Sequence, residues 1–428
     1  MNGKRILMMI NFFPPTGGGG VYRPLSFVRH LSGIGHRVTV VTPEPGEFWI
    51  TDPALEERVP DEVRVVRTWS MSAQRLLGIS RGGGSKRSGS RFEAMRRLSE
   101  LFLLPDSYVG WVPFARRAAS RICRDQGIDL IYSTSPPDST HLAARSVARR
   151  FSIPWIADFR DPWIHLYLRD PPTPLHGRIH AWMERSVAGA DRVLVTTDWQ
   201  KETLERLYPG SRVVKVPNGF VEDDFTGERP DIPRGEPMVF THCGMLTQGR
   251  SSRVFLAGLA SFLEKRRDAR GRVRAVFIGA RESENERWAR HPALEGAVEF
   301  IDNLPHPECV EREMRSHVLL LIKHDDGRYG GLIPGKLYEY IGARRPVLAL
   351  APPGEAARIV RESGRGEVVP PHDPGAVERA VRTMFDLFDG GELERAYDLG
   401  PRPDMSRRAA AEKLAGIIEE LAGERGGA

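Results

Sequence analysis

Two successive series of short apolar runs, each run followed by an amphipathic stretch, predict an α/β chain of two doubly wound, Rossmann-like domains. Three observations carry that prediction: the alternation itself, a Pro/Gly/acidic break between the two series, and a length of 428 residues. That length exceeds one ordinary domain and suffices for two cores. Apolar residues make up 40% of the chain and charged residues 28%, the mix of a folded domain rather than a disordered one.

The first series opens with Arg5 to Ile10 as a strand, Tyr22 to Ser32 as a helix and Val38 to Val41 as a strand. It resumes with helix Pro113 to Gln126, strand Leu130 to Ser133, helix Thr140 to Arg150, strand Trp155 to Asp158, helix Arg178 to Ala188 and strand Arg192 to Thr196. Between the two parts, Ser70 to Arg91 is rich in Gly, Ser and Arg and reads as a mobile basic loop, because it holds too little apolar surface to offset its ordering entropy. Past Val216-Pro217-Asn218-Gly219 the break runs to Pro237, and the second series follows. Its strands are Met238 to Cys243, Ala275 to Gly279, Val318 to Ile322 and Val347 to Ala351, with a last helix over Ser406 to Leu421. The expected organisation is a first domain over 1–215, a linker over 216–236, a second domain over 237–403 and a terminal helix over 404–428 that crosses back to the first domain.

Composition narrows the function classes. Cys123, Cys243 and Cys309 are far apart and odd in number, with no spacing that suits a disulfide framework or structural zinc, which points to a reducing compartment. The apolar start of the chain is shorter than a bilayer span and runs into Pro14-Pro15, so the expectation is a buried first strand in a cytoplasmic protein. A net charge of +6 suits phosphates, nucleic acid or anionic lipid without choosing among them. The Arg-rich stretch Arg75 to Arg97 lacks interleaved aromatics and no nucleic-acid motif is present, so a nucleic-acid partner is not expected.

Four stretches carry chemistry. Between the first strand and helix, Pro14-Pro15-Thr16-Gly17-Gly18-Gly19-Gly20 is a glycine-rich turn whose amides suit a phosphate, or a tight turn with no ligand. It matches neither a dinucleotide fingerprint, whose third glycine position is Tyr22 or Arg23, nor a P-loop. The loop Gly244 to Arg250 leaves a strand at its carboxyl end, where Arg250 either clamps a diphosphate or lies on the surface. In Tyr329 to Tyr340, glycines and Pro334 lead into a helix carrying Lys336 and Glu339, a cation for phosphate and a carboxylate for ribose hydroxyls, or else a surface pair at i, i+3. In the first domain, Asp158-Phe159-Arg160-Asp161-Pro162-Trp163 ends a strand with groups that grip sugar hydroxyls, or with a buried Arg/Asp network.

The order of these pieces resembles the retaining glycosyltransferases of family 4: the glycine-rich turn, Val216 to Phe220 with Phe225, the Gly244 to Arg250 loop, and Pro334 to Pro346. The resemblance implies the GT-B fold, with parallel sheets facing across a cleft, and transfer of a sugar from a UDP-, GDP- or dTDP-linked donor to an acceptor hydroxyl in bacterial glycan biosynthesis. It implies that Arg250 and Lys336 hold the diphosphate, that Glu339 binds the ribose, and that Gly18, Gly19, Gly20, Gly244, Gly331 and Leu332 line the donor. Asp158, Arg160, Asp161 and Trp163 face the acceptor, with Asp158 or Asp161 orienting its hydroxyl. One departure is plain: where the family has a second glutamate, eight positions before Glu339, this chain has Gly331. Pro334 to Tyr340 is similar to the Pro-Ser-Lys-Leu-x-Glu-Tyr pattern of bacterial polysaccharide members, with Gly335 for serine.

No metal or other cofactor is expected, since no DxD follows a strand and Asp325-Asp326 is adjacent rather than spaced. A sugar or lipid-linked acceptor fits the family. The basic loop and the amphipathic stretch Phe92 to Leu104 suggest peripheral contact with an anionic inner membrane face. A nucleotide-sugar 2-epimerase of the same fold is one rival reading, and a non-catalytic protein that binds an anionic ligand or nucleic acid is the other.

Overall fold

The computed structural model describes residues 3–45, 51–71, 102–163, 171, 173–226, 230, 232, 235–247, 249–326 and 329–426. The expected basic loop over 72–91, the rest of the amphipathic stretch as far as residue 101, and Gln248 lie outside them. The chain divides into two compact units, residues 1–218 with 407–428, and residues 219–406.

In the first unit, β1 (Arg5–Met9), β2 (Arg37–Pro43), β3 (Arg64–Thr68), β4 (Leu130–Ser135), β5 (Trp155–Phe159), β6 (Arg192–Val195) and β7 (Val213–Lys215) form one sheet in the order β3-β2-β1-β4-β5-β6-β7. Its helices are α1 (Gly19–Gly33), α2 (Val112–Gln126), α3 (Ser139–Phe151), α4 (Pro174–Ala188) and α5 (Asp198–Leu207). Every pairing is parallel, so the middle strands are covered on both faces and read as unbroken apolar runs. The expected first-series strands all lie in this sheet.

The second unit has β8 (Met238–Cys243), β9 (Val273–Ile278), β10 (Val298–Ile301), β11 (Val318–Ile322), β12 (Val347–Leu350) and β13 (Gly366–Val369), in the order β10-β9-β8-β11-β12-β13. Again all pairs are parallel. The helices are α6 (Arg253–Lys265), α7 (Ser283–Trp288), α8 (His306–Met314), α9 (Gly335–Gly342), α10 (Glu355–Glu362) and α11 (Pro374–Asp389). Phe240, Phe255, Leu259 and Phe277 pack on one side of this sheet with Val377 and Met384.

The last helix, α12 (Arg407–Gly426), belongs to the first unit. Leu414, Ile417, Ile418 and Leu421 are buried in one cluster with Leu25, Val28 and Leu31 of α1, and Glu424 pairs with Arg192. No described helix is long and apolar enough to cross a membrane.

Both sheets reverse direction beside their first strand, between β1 and β4 in one unit and between β8 and β11 in the other. In open parallel sheets such a switch point opens a crevice at the carboxyl ends of the strands, where ligands bind. The loops after β1, β8 and β11 are the three glycine-rich stretches that the sequence singles out.

Candidate donor and acceptor sites

In the second unit, β8 is followed by Gly244, whose φ of 145° lies outside the range side chains favour. The loop needs that freedom for space as well. A Cβ on Gly244 would overlap Cε and Nζ of Lys336, and a Cβ on Gly279 at the end of β9 would come within 2.6 Å of Gly244 O. Two bare backbone segments thus leave a slot through which the lysine ammonium reaches the end of β8. Lys336 sits in the first turn of α9, whose other face is tied into the core by Leu337, Tyr340 and Ile341, all buried. The Val216-to-Phe225 stretch also serves this helix, because Phe220 and Phe225, with ring centres 5.7 Å apart, close over Gly342 where a Cβ would strike both rings.

Arg250 follows on the same loop. It is half-buried and its Nε has no hydrogen-bond partner, so burial lowers its pKa and leaves a cation short of counter-charge. Both cations are felt at His242 on β8. Its Nδ1–H donates to Leu320 O at 2.8 Å, and burial first, then the charge of Lys336 and that of Arg250, lower its pKa to about 3. The imidazole is therefore neutral. Beneath Lys336 and Glu339 lies Glu313 of α8, fully buried, with its pKa pushed well up by burial and then by the charge of Glu339. Its surroundings disfavour the ionised form.

Past β11, the buried Lys323 donates to Tyr329 O at 2.9 Å and to Leu332 O at 2.6 Å. His324 stacks on Tyr329 with ring centres 4.4 Å apart, and its Nδ1 stands 3.4 Å from where a Gly249 Cβ would be. The end of β11 therefore braces both loops, the one ending in Arg250 and the one holding Gly331 and Leu332. Lys336, Arg250, Gly244, Gly331, Leu332 and Glu339 all stand around the carboxyl ends of β8 and β11. Sequence reasoning missed Lys323, His242 and Glu313, since a lone polar residue at the end of an apolar run reads equally well as exposed.

In the first unit the candidates part company. Asp158 has no exposed surface. Its carboxylate accepts from Arg23 Nη2 at 2.8 Å and Nε at 3.0 Å, from Tyr132 Oη at 2.5 Å and from Thr134 Oγ1 at 3.1 Å. Burial alone would raise its pKa, but Arg23 and the hydroxyls hold it below the usual carboxylate range. The same Arg23 donates to Val216 O and Pro217 O, tying the last loop of the unit to β5. Trp163 is likewise fully buried, its Nε1 donating to His180 Nδ1 at 3.1 Å. Arg160 donates to the carbonyls of Ser135, Pro136 and Gly20, bracing the glycine-rich turn, where Gly18 has φ 92° and caps α1. Asp158, Arg160 and Trp163 thus build the internal network that was the alternative reading of this stretch, and they present little to an acceptor. Asp161 differs: it is only half-buried by surface area, and burial raises its pKa against the opposing charge of Arg160.

Comparison with known proteins agrees with this architecture. Residues 17–219 match the glycosyl transferase 4-like domain family. A probable glycosyltransferase of Pseudomonas aeruginosa, WbjE, is 31% identical over 107 residues, 24% of this chain and 26% of that protein's length. Among solved structures, Anabaena HepE in complex with UDP has a TM-score of 0.63 at 13% identity, covering 99% of this chain and 100% of its own. WaaG, a glycosyltransferase involved in lipopolysaccharide biosynthesis, has a TM-score of 0.58 at 15% identity, covering 97% and 98%. At such identities the likeness is one of fold, the GT-B arrangement of two Rossmann-like domains.

Proposed function

From the chain's place among the GT-B glycosyltransferases, with its glycosyl transferase 4-like domain over residues 17–219, we propose that it transfers a sugar from a nucleotide-diphosphate donor to an acceptor hydroxyl in bacterial glycan biosynthesis. The observation that carries this reading is the pair of cations, Lys336 threaded over Gly244 and Arg250 without a partner at Nε, at the switch point of the second sheet. Such a pair suits a diphosphate and stabilises the charge it develops as leaving group. Glu339, one helical turn in, takes the ribose hydroxyls, and the UDP of the HepE structure makes a uridine donor the first to test.

The transfer proceeds with retention and without a metal. An inverting enzyme needs a base on the acceptor face, and of the first-unit candidates only Asp161 keeps accessible surface. Its raised pKa suits a group that orients a hydroxyl, while the departing diphosphate assists same-face attack. The acceptor is a sugar or a lipid-linked sugar, met at an anionic membrane face.

A thermal-shift screen with UDP-, GDP- and dTDP-sugars tests the donor, since a ligand at 100 times its dissociation constant stabilises by about 2.7 kcal/mol. An α-linked donor should yield an α-linked product by NMR, with Arg250→Ala or Lys336→Ala lowering turnover more than Asp161→Asn. A β-linked product, with Asp161→Asn the most damaging change, would make Asp161 the base of an inverting enzyme. Release of an epimerised nucleotide sugar without an acceptor would favour the 2-epimerase.

A further inference from the structure

Lys323 has no role in the donor reading so far, yet its placement is costly. An ammonium at the end of the central strand β11, 6% exposed, is tolerated only where its protons are spent well. Two of them go to the carbonyls of Tyr329 and Leu332. Those carbonyls bracket Gly330 and Gly331, and the segment is closed further by Leu332 N donating to Tyr329 O and Glu355 N donating to Gly330 O. The loop enters α9 directly and so sets where Lys336 begins. With glycine at 331, no side chain reaches the donor from that position, and the course of the backbone is all that the loop can offer there.

Resting on the nucleotide-sugar reading, we propose that Lys323 is a positioning residue for the donor: its buried ammonium holds the 329–332 backbone in the shape that receives the donor and adds a third positive charge beneath the diphosphate. The groups facing it fit that role. Glu355, at the start of α10, is the one whose charge supports the ammonium, while burial lowers its pKa to about 8. His324 follows Lys323 in the chain, and its pKa is lowered by burial, then by Arg250, then by Lys323. A bound diphosphate adds negative charge to this surplus of cations, so it should draw a proton onto Lys323, and affinity should fall as pH rises through about 8.

Two measurements on the full chain decide the matter. Amide hydrogen exchange in the unliganded protein should quicken at residues 329–336 in Lys323→Met, with the core of the second sheet unchanged. Calorimetry with UDP from pH 6.5 to 9.5 should show the wild type losing affinity above pH 8 with proton uptake on binding, and Lys323→Met binding about tenfold more weakly with a flat pH profile. Lys323→Arg should recover part of the affinity and move the fall to higher pH. Unchanged exchange together with wild-type affinity and pH dependence in Lys323→Met would overturn the proposal. Should Lys323→Met fail to fold, wild-type UDP binding without proton uptake near pH 8 would overturn it equally. If UDP binds neither protein, the donor reading fails, and the exchange at residues 329–336 still decides whether Lys323 holds the loop.

Discussion

At the scale of single residues, the second unit uses an absence of side chain as carefully as a charge. Gly244 leaves the space that Lys336 occupies, so the two should act as one unit. Gly244→Ala would push the flexible end of the lysine aside and also strain the loop backbone at φ 145°, and nucleotide-sugar binding should weaken by about 1.5–3 kcal/mol, the value of a charge-assisted hydrogen bond. Lys336→Ala should cost a similar amount, and calorimetry on the double variant should show little further loss. Full additivity would mean that Gly244 acts on the donor by itself. In the first unit the contrast lies between neighbours in sequence. Asp158→Ala strands Arg23, which has 2% exposure, and should destabilise by about 3–5 kcal/mol. Asp161→Asn removes a charge the site already disfavours and should shift the denaturation midpoint little. Equal losses would show that Asp161 belongs to the network too. The sequence marks these residues as polar groups at a strand end, but which of them is satisfied internally depends on Arg23 and Tyr132, 135 and 26 residues away.

At the scale of elements, the helix α12 completes a core begun by α1. Leu414, Ile417, Ile418 and Leu421 are each 5% exposed or less, and burying four such side chains contributes about 6–12 kcal/mol. That is as much as the whole stability of an ordinary domain. Removing residues 407–428 should therefore unfold the first unit and spare the second, so that calorimetry loses one transition and keeps the other. Survival of both would show that the helix only covers a finished core. The elements legible in the sequence follow the same logic. Every strand read from the apolar pattern lies inside its sheet, and the four that escaped, β3, β7, β10 and β13, are the four edges. An edge strand is paired on one side only and keeps polar residues or little length, as in RVVRT of β3 and the three residues of β7. The glycine-rich loops at the strand ends were legible because glycine and proline mark them, whereas the meeting of Lys336 with Gly244, 92 positions apart, was not.

At the scale of the whole molecule, each unit buries a histidine that holds its proton weakly and an acid that holds its proton tightly. His141 and His242 both have pKa values lowered to about 3, by burial first. A histidine whose folded pKa lies below the unfolded 6.5 takes protons only on unfolding, so stability falls as pH drops from 6.5 towards 3. Glu184 is raised to about 7 by burial, and Glu313 is raised in the same sense. Such an acid binds its proton more readily when folded, so stability falls as pH rises from 4.5 towards 7. Over pH 4.5–6.5 the slopes from His141 and Glu184 oppose each other within the first unit. Glu184→Gln should remove one of them: relative to wild type, its stability should improve by about 1.4 kcal/mol per pH unit across that window. Chemical denaturation at several pH values measures it, and parallel curves would mean that Glu184 is ionised in the folded protein.

The two units also differ in how the chain visits them, one being continuous in sequence and the other made of 1–218 and 407–428. During synthesis the second unit is complete as soon as residue 406 clears the ribosome. The first, begun earlier, must wait with the apolar face of α1 uncovered until the last helix is made. The unit translated first is then the unit finished last, and a chain ending at residue 406 and released from the ribosome should hold a protease-resistant second unit behind an N-terminal half that chaperones still bind.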